Sequence, residues 1–514
     1  MGIGSTIKDK ATKLAISAAV NKYINYIAKD PENNFDKAIE SLIKLEKTIG
    51  GTNNLSKFAK WTEKNPGSRA WIISLFKKDT EIVKKFFINF LVNVNLAWMK
   101  YNKEETVKKN GFAAPYTILI SPTMRCNLAC KGCYSANYTK NDDMPIEKVD
   151  DIIQQGKAIG TYFYTFLGGE PFIRWNELYP LFKKHDDCLF QIFTNSTFIT
   201  DEVADQIKEL GNVYPVLSVN GWEKETDETR GKGAYKKILA AADKLKERGV
   251  IYGNSFVFMR DNFETLTSDE LYDFWIDKGA FFGWLFLFMP VGRDPIPELM
   301  PLPEQRRKMG DFVRDLRARK PYFLMDFWND APSVGGCIAG GRRYVHINNK
   351  GDVEPCIFAH FSTDNLYEKS LVEALQSPFL ADIRFHQPHS DNLLTPCMII
   401  DNPWILREVV KKHNAVATDD SEGKIIDKLA PVLDEYANEV HKELDPVWEE
   451  KFKDQIEEIK EKGTTHGEGL DRLWLQNHPE EIKHWAERYP FILEYDFLQE
   501  AIKKIDELSE ADVK

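Results

Sequence analysis

The chain has 514 residues, 43% hydrophobic and 12% aromatic, and a net charge of −11 from 68 Lys and Arg against 79 Asp and Glu. That length and apolar content suit two or more domains with large buried cores, and the acidity, with no basic run, excludes a nucleic-acid partner. Seven cysteines, an odd and low count, exclude a secreted disulfide framework and point to a reducing cytoplasm.

Lys8, Lys10 and Lys13 precede only a short apolar patch (14–20), so no secretory leader is expected. No run approaches the roughly 20 apolar residues of a spanning helix. Residues 1–112 are predicted helical. Val83, Phe86, Phe87, Phe90, Leu91, Val94 and Trp98 recur at helical spacing, with Lys85, Asn89 and Asn93 on the opposite stripe. Gly50-Gly51 and Pro66-Gly67-Ser68 punctuate this region, with Ser68 as a candidate N-cap.

From 113 the pattern alternates. Strand-like runs fall at 116–121, 162–167, 189–194, 214–219, 254–258 and 281–289, and helical stretches at 146–158, 201–210, 235–248 and 268–277. Repeated strand–helix units imply parallel strands with right-handed crossovers. Six of them make an α/β partial (β/α)6 barrel of the TIM type, with its working residues at the C-terminal strand ends. A joint with Pro290, Pro295, Pro297, Pro301 and Pro303 follows, then a helix at 304–319, a Gly- and Cys-bearing stretch at 335–360, and a charged helical region from about 411. The domain reading is 1–112 helical, 113–325 barrel, 326–410 a small cysteine-bearing domain and 411–514 helical.

Cys126, Cys130 and Cys133 lie in one loop just past the first strand, at C-x3-C-x2-C spacing. Three thiolates there can hold three corners of a [4Fe–4S] cube and leave one iron open. A structural zinc site, in a protein that is not an enzyme, is the competing reading. It commonly uses four ligands in paired C-x2-C units, and the x3 spacing and lack of a local fourth ligand count against it.

This loop resembles the signature of the radical S-adenosylmethionine (SAM) enzymes. The resemblance, over roughly 113–400, implies a [4Fe–4S] cluster whose open iron binds SAM, and reductive cleavage of SAM to a 5′-deoxyadenosyl radical that abstracts hydrogen from an unactivated C–H bond. It also implies a reduced flavodoxin or ferredoxin as electron donor. The family often has an aromatic residue just before the third cysteine; here that position is Gly132, and the aromatic is Tyr134. Gly168-Gly169-Glu170-Pro171 resembles the segment that holds the methionyl amino group, for which Gly permits close approach and Glu170 suits an ammonium. By the same resemblance Thr194, Asn195, Ser218 and Arg230 are cofactor contacts. Ser196 and Asn220 are placed likewise but also fit ordinary strand-end turns, and 289–292 is either an adenine-flanking segment or a bend.

Downstream, Cys337, Cys356 and Cys397, with a Lys-Gly-Asp turn before Pro355-Cys356, resemble the SPASM or twitch extensions that hold auxiliary clusters. Three cysteines imply one auxiliary [4Fe–4S] cluster, with His360, Asp401 or His346 as candidates for a fourth ligand; buried reduced cysteines are the alternative. Cys188 is read as core. Arg293 and the acidic-aromatic stretch 323–330 are candidate substrate contacts or simple packing.

Two substrates compete. A lipid reading, an acyl or isoprenoid chain joined at its tails, rests on the apolar N-terminal helices, which would also give peripheral contact with the inner face of the membrane. It also rests on a loose similarity to bacterial radical enzymes proposed for membrane-lipid tail coupling. A peptide reading, as a maturase of a ribosomal peptide, rests on relatives with auxiliary clusters; the all-helical N-terminus argues against their winged-helix peptide-binding domain.

Overall fold

The computed structural model describes residues 3–48, 54–139, 141–292, 295–420, 423–462, Arg472, Leu475 and most of 478–499. Gly50, Gly51 and Arg293 lie outside the described residues.

The strands of the main sheet are β1 Thr117–Ile120, β2 Phe163–Phe166, β3 Leu189–Thr194, β4 Val213–Val219, β5 Gly253–Phe258, β6 Phe282–Leu287, β7 Phe323–Asp326, β8 Tyr344–Ile347 and β9 Val353–Glu354. Their order is β7-β6-β5-β4-β3-β2-β1-β8-β9. All neighbours are parallel except β8 and β9. The fold is the expected α/β partial barrel. Each crossover carries an amphipathic helix, such as Ile146–Ala158, which buries Val149, Ile152 and Ile153, and Asp201–Leu210, which buries Ala204, Ile207 and Leu210.

The sheet runs past six strands at both edges. β7 joins β6, and β8 joins β1 with Leu119 opposite His346. The cysteine-bearing region is therefore built onto the edge of the barrel sheet.

The N-terminal region is helical over its described residues, as expected. Ser68 is not a cap: Asn65 holds the N-cap position of the helix Pro66–Leu75, without a side-chain capping bond, and Ser68 is buried inside it, donating to the Arg317 carbonyl at 3.2 Å. A Cβ on Gly67 would lie 2.6 Å from the Arg319 carbonyl carbon, so glycine lets this helix touch Pro303–Arg319.

One helical run, Thr80–Tyr101, has 22 residues and contains an 18-residue window of mean hydropathy 1.2, long and apolar enough by length and composition alone to cross a bilayer. This corrects the expectation that no segment approaches that length. Lys85 and Asn89, expected on the outer polar stripe, turn inward instead, while Phe90 and Leu91 are exposed: Asn89 donates to the carbonyls of Asp186 and Cys188, Lys85 to that of Leu210, and Phe86 meets Tyr214 edge-on at 5.5 Å.

Candidate active site

The loops at the C-terminal ends of β1, β2, β3, β4 and β6 meet around Cys126, Cys130 and Cys133. After β2 the chain pairs with the start of the cysteine loop: Gly169 N–H donates to the Thr123 carbonyl at 3.0 Å and Glu170 N–H to that of Arg125 at 2.8 Å. The approach is so close that a Cβ on Gly169 would fall 2.1 Å from the Arg125 oxygen.

Glu170 is fully buried. Its carboxylate accepts from Thr194 Oγ1 at 2.8 Å, Asn195 N at 2.7 Å and Phe172 N at 3.1 Å. Burial pushes its pKa up to about 7, against the hydrogen bonds from Asn195, Phe172 and Thr194. Three protein donors occupy most of its roughly four lone-pair sites. Glu170 thus ties the turn after β2 to the end of β3, rather than being free for an ammonium as the sequence suggested.

Asn195 Nδ2 lies 3.6 Å from Cys126 Sγ and donates to Asn127 Oδ1 at 2.9 Å. Asn127, not singled out from sequence, is the link between β3 and the cysteine loop. Arg230 donates to Asn220 Oδ1 at 2.7 Å and faces Cys130, where its charge counters the burial that raises that thiol. Lys131 N–H binds the Thr229 carbonyl, holding the arginine's helix to the loop. Gly132 admits Phe288, which a Cβ there would meet at 2.3 Å, and Gly292 admits the Cys133 carbonyl at 2.2 Å. The 289–292 segment therefore covers the cysteine loop. Tyr134 spans the two cysteine sets: its hydroxyl is 3.4 Å from Gly168 and its ring meets Phe358 of the cysteine-bearing region at 5.7 Å.

Ser218 is half-buried near the end of β4. The register sets Ser218, Ser255, Trp284 and Met325 in one row on one face of the sheet. Two buried polar atoms beside these strand ends, Ser196 Oγ and Asn220 Nδ2, have no hydrogen-bond partner, and Ser196 holds a φ of 69°. Orphaned buried donors at a strained turn fit a polar cofactor that completes them.

Cys337, Cys356 and Cys397 converge on a cavity of about 670 Å³ whose walls include Trp284, Met325, Phe327, Tyr344 and Phe358. Burial pushes the Cys337 thiol up to about 12 and raises Cys356 and Cys397 as well. Tyr344, missed from sequence although it alternates with His346 along β8, places its hydroxyl 3.1 Å from Cys356 Sγ. Most of 323–330 lines the cavity, Met325, Asp326, Phe327 and Asp330 included, and Asp326 also accepts the backbone N–H groups of Trp328 and Asn329.

The three suggested fourth ligands have other partners. Asp401 pairs with buried Arg306 at 2.6 Å and accepts Cys397 N–H at 3.0 Å. His346 is held by Ser121 and Glu354, and His360 by Asp419 and the Ile357 carbonyl. They brace the cysteine loops instead of completing a ligand set.

The donor sets fit iron–sulfur cubes better than single zinc ions. All seven cysteines are free. Tetrahedral zinc, with Zn–S bonds of ~2.3 Å, would draw its sulfurs to about 3.8 Å from one another. Among the described residues, the group of three such ligands within 4.8 Å of one another is His185, Asp187 and Cys188, not either cysteine triad. In that group Asp187 is already paired with Lys157 at 2.7 Å and His185 with Asp150 at 2.7 Å. Cys188 is buried core, as read from sequence.

Comparison with known proteins decides the family. The radical SAM superfamily pattern matches residues 120–269, and an iron–sulfur cluster-binding domain, SPASM, matches 337–398. The chain carries a radical SAM domain followed by a SPASM domain. Its cofactors are a [4Fe–4S] cluster with SAM at the first site and an iron–sulfur cluster in the SPASM domain. Over 265 residues it is 28% identical to the mycofactocin maturase MftC of Mycolicibacterium smegmatis, covering 49% of this chain and 66% of that protein. It is 30% identical to Fe-coproporphyrin III synthase of Methanosarcina barkeri over 27% of this chain and 36% of that protein. It is 25% identical to the PqqA peptide cyclase of Xanthomonas axonopodis over 50% and 73%. The chain thus spans under two thirds of the first two of these relatives. None of the three is named for a lipid substrate.

Proposed function

We propose that this radical SAM enzyme modifies a peptide. The observation that carries the reading is the cavity shared by all three auxiliary cysteines, lined by aromatic rings (Trp284, Phe327, Phe358) and by the charged groups of Arg314, Arg317 and Asp330, and reaching Trp61 and Asn65 of the N-terminal region. It has room for one large side chain with its backbone, and the names maturase and peptide cyclase among the relatives support that choice over a lipid.

In this reading Cys126, Cys130 and Cys133 hold the radical-generating cluster, and Cys337, Cys356 and Cys397 the auxiliary one. When bound, the first cluster and SAM supply reductive C–S cleavage and hydrogen abstraction. The protein's own residues position and shield. Gly168 and Gly169 give backbone access, Glu170 locks the turn, Asn195 and Arg230 flank the cysteine loop, Ser196, Asn220 and Ser218 offer polar contacts, and Thr194 orients Glu170. Phe288 and Gly292 close over the loop. A reduced flavodoxin or ferredoxin supplies the electron, and the domains divide near 112, 325 and 410.

The test is mass spectrometry of peptides encoded beside its gene, after incubation with reduced holoenzyme and SAM. A SAM-dependent mass change in one peptide supports the reading. Turnover of acyl or isoprenoid lipids, or of a porphyrin, with every peptide unchanged would replace it.

A further inference from the structure

Glu354 ends β9 and is fully buried. Four groups donate to its carboxylate: Tyr138 Oη at 2.8 Å, His346 Nδ1 at 2.6 Å, Asn348 Nδ2 at 3.0 Å and the Thr418 hydroxyl. A carboxylate offers about four lone-pair sites, so this one is saturated. On its other side the His346 ring meets Ser121, with Nε2 and Oγ 2.7 Å apart.

The donors come from separate parts of the molecule. Ser121 follows β1 and packs beneath the turn after β2, where a Cβ on Gly168 would lie 2.9 Å from its own Cβ. Tyr138 stands five residues beyond Cys133, and Glu354 two before Cys356. The same two segments meet again where Asn349 donates to the Thr139 carbonyl at 3.2 Å and the Asp142 carbonyl at 2.6 Å, and where the Tyr138 and His360 rings lie 4.7 Å apart. β9 itself has only two residues and pairs with β8 through His346 and Ile347, so its ladder alone is a weak anchor.

We propose that Glu354 is a positioning residue: it fixes the auxiliary cysteine set relative to the radical-generating set by gathering, on one buried carboxylate, donors from the radical loop, from β8 and from the chain near Thr418. Removing the acceptor strands several buried donors at once, which the low-dielectric interior penalises. Substrate seated against the auxiliary cysteines must meet the radical at a set distance, and a misplacement of about 1 Å can cost on the order of 100-fold in rate.

The inference rests on the assignment of clusters to the two cysteine sets, which the iron content of the unaltered protein tests by itself. The deciding experiment compares Glu354→Gln and Tyr138→Phe with the unaltered holoenzyme, anaerobic and reduced with dithionite, by iron analysis and electron paramagnetic resonance. The expected result is unchanged iron with a shifted dipolar coupling between the two reduced clusters in both variants. Unchanged coupling in both would overturn the proposal. If Glu354→Gln loses iron, Tyr138→Phe decides: it keeps the ring and removes one bond, and a coupling equal to that of the unaltered protein would leave Glu354 a purely structural residue.

Discussion

The Thr194 hydroxyl donates to Glu170 Oε1 at 2.8 Å, so the turn after β2 and the end of β3 share one buried carboxylate. Burial raises that carboxyl from 4.5 to about 7 in the folded protein. A raised folded value means its contribution to stability is fully present below the unfolded pKa and is lost as pH rises through the folded one. Metal-free protein is therefore expected to lose about 3 kcal/mol at this site between pH 4.5 and 7. Glu170→Gln flattens that slope in denaturant titrations at several pH values; an unaltered slope contradicts the assignment.

Gly169→Ala places a methyl where the Arg125 carbonyl already lies, at 2.1 Å. Backbone cannot give way as a flexible side chain does, so the substitution is expected to cost about 1–3 kcal/mol. It should weaken SAM binding in calorimetry while the iron content holds.

The two cysteine sets have separable duties. Cys130→Ala should abolish 5′-deoxyadenosine formation from SAM, measured by chromatography under dithionite. Cys356→Ala should retain that cleavage and lose peptide product. Product from Cys356→Ala would make the auxiliary cluster dispensable.

Asp382 is buried in the helix Pro378–Phe385, where it accepts from His413 Nε2 at 2.7 Å and from Tyr495 Oη at 2.8 Å. Burial pushes its pKa up, but hydrogen bonds to His386 and His413 and the nearby Lys412 outweigh this and hold it well below the usual carboxylate range. A depressed folded value gives stability that is present above the unfolded pKa of about 3.9 and lost as pH falls below it. Asp382→Asn should cost about 3–5 kcal/mol near neutrality and shrink the acid transition in a circular-dichroism pH titration.

The barrel was legible because its signals are local. The run 189–194, with Leu189, Phe190, Ile192 and Phe193, is β3, and the apolar spacing of 146–158 and 201–210 gives those helices residue for residue. The cysteine loop and the Gly168–Pro171 turn are short contiguous motifs with chemistry in their letters. The pairing of β8 with β1 was not legible, because it joins Leu119 to His346 across more than 200 residues and neither strand announces its partner. The same distance hid the roles of His346, His360 and Asp401: a histidine or aspartate near cysteines reads as a ligand until the groups that already hold it are seen. Ser68 failed as a cap because Asn65 precedes Pro66, and the helix begins there.

The central claim is a radical-generating iron–sulfur site with a second cluster beside it. Its most direct test is anaerobic purification with iron, zinc and sulfide analysis, followed by dithionite reduction with SAM. Brown protein with about eight irons, four per cube, and release of 5′-deoxyadenosine is the predicted result. Colourless protein with stoichiometric zinc and intact SAM would contradict it.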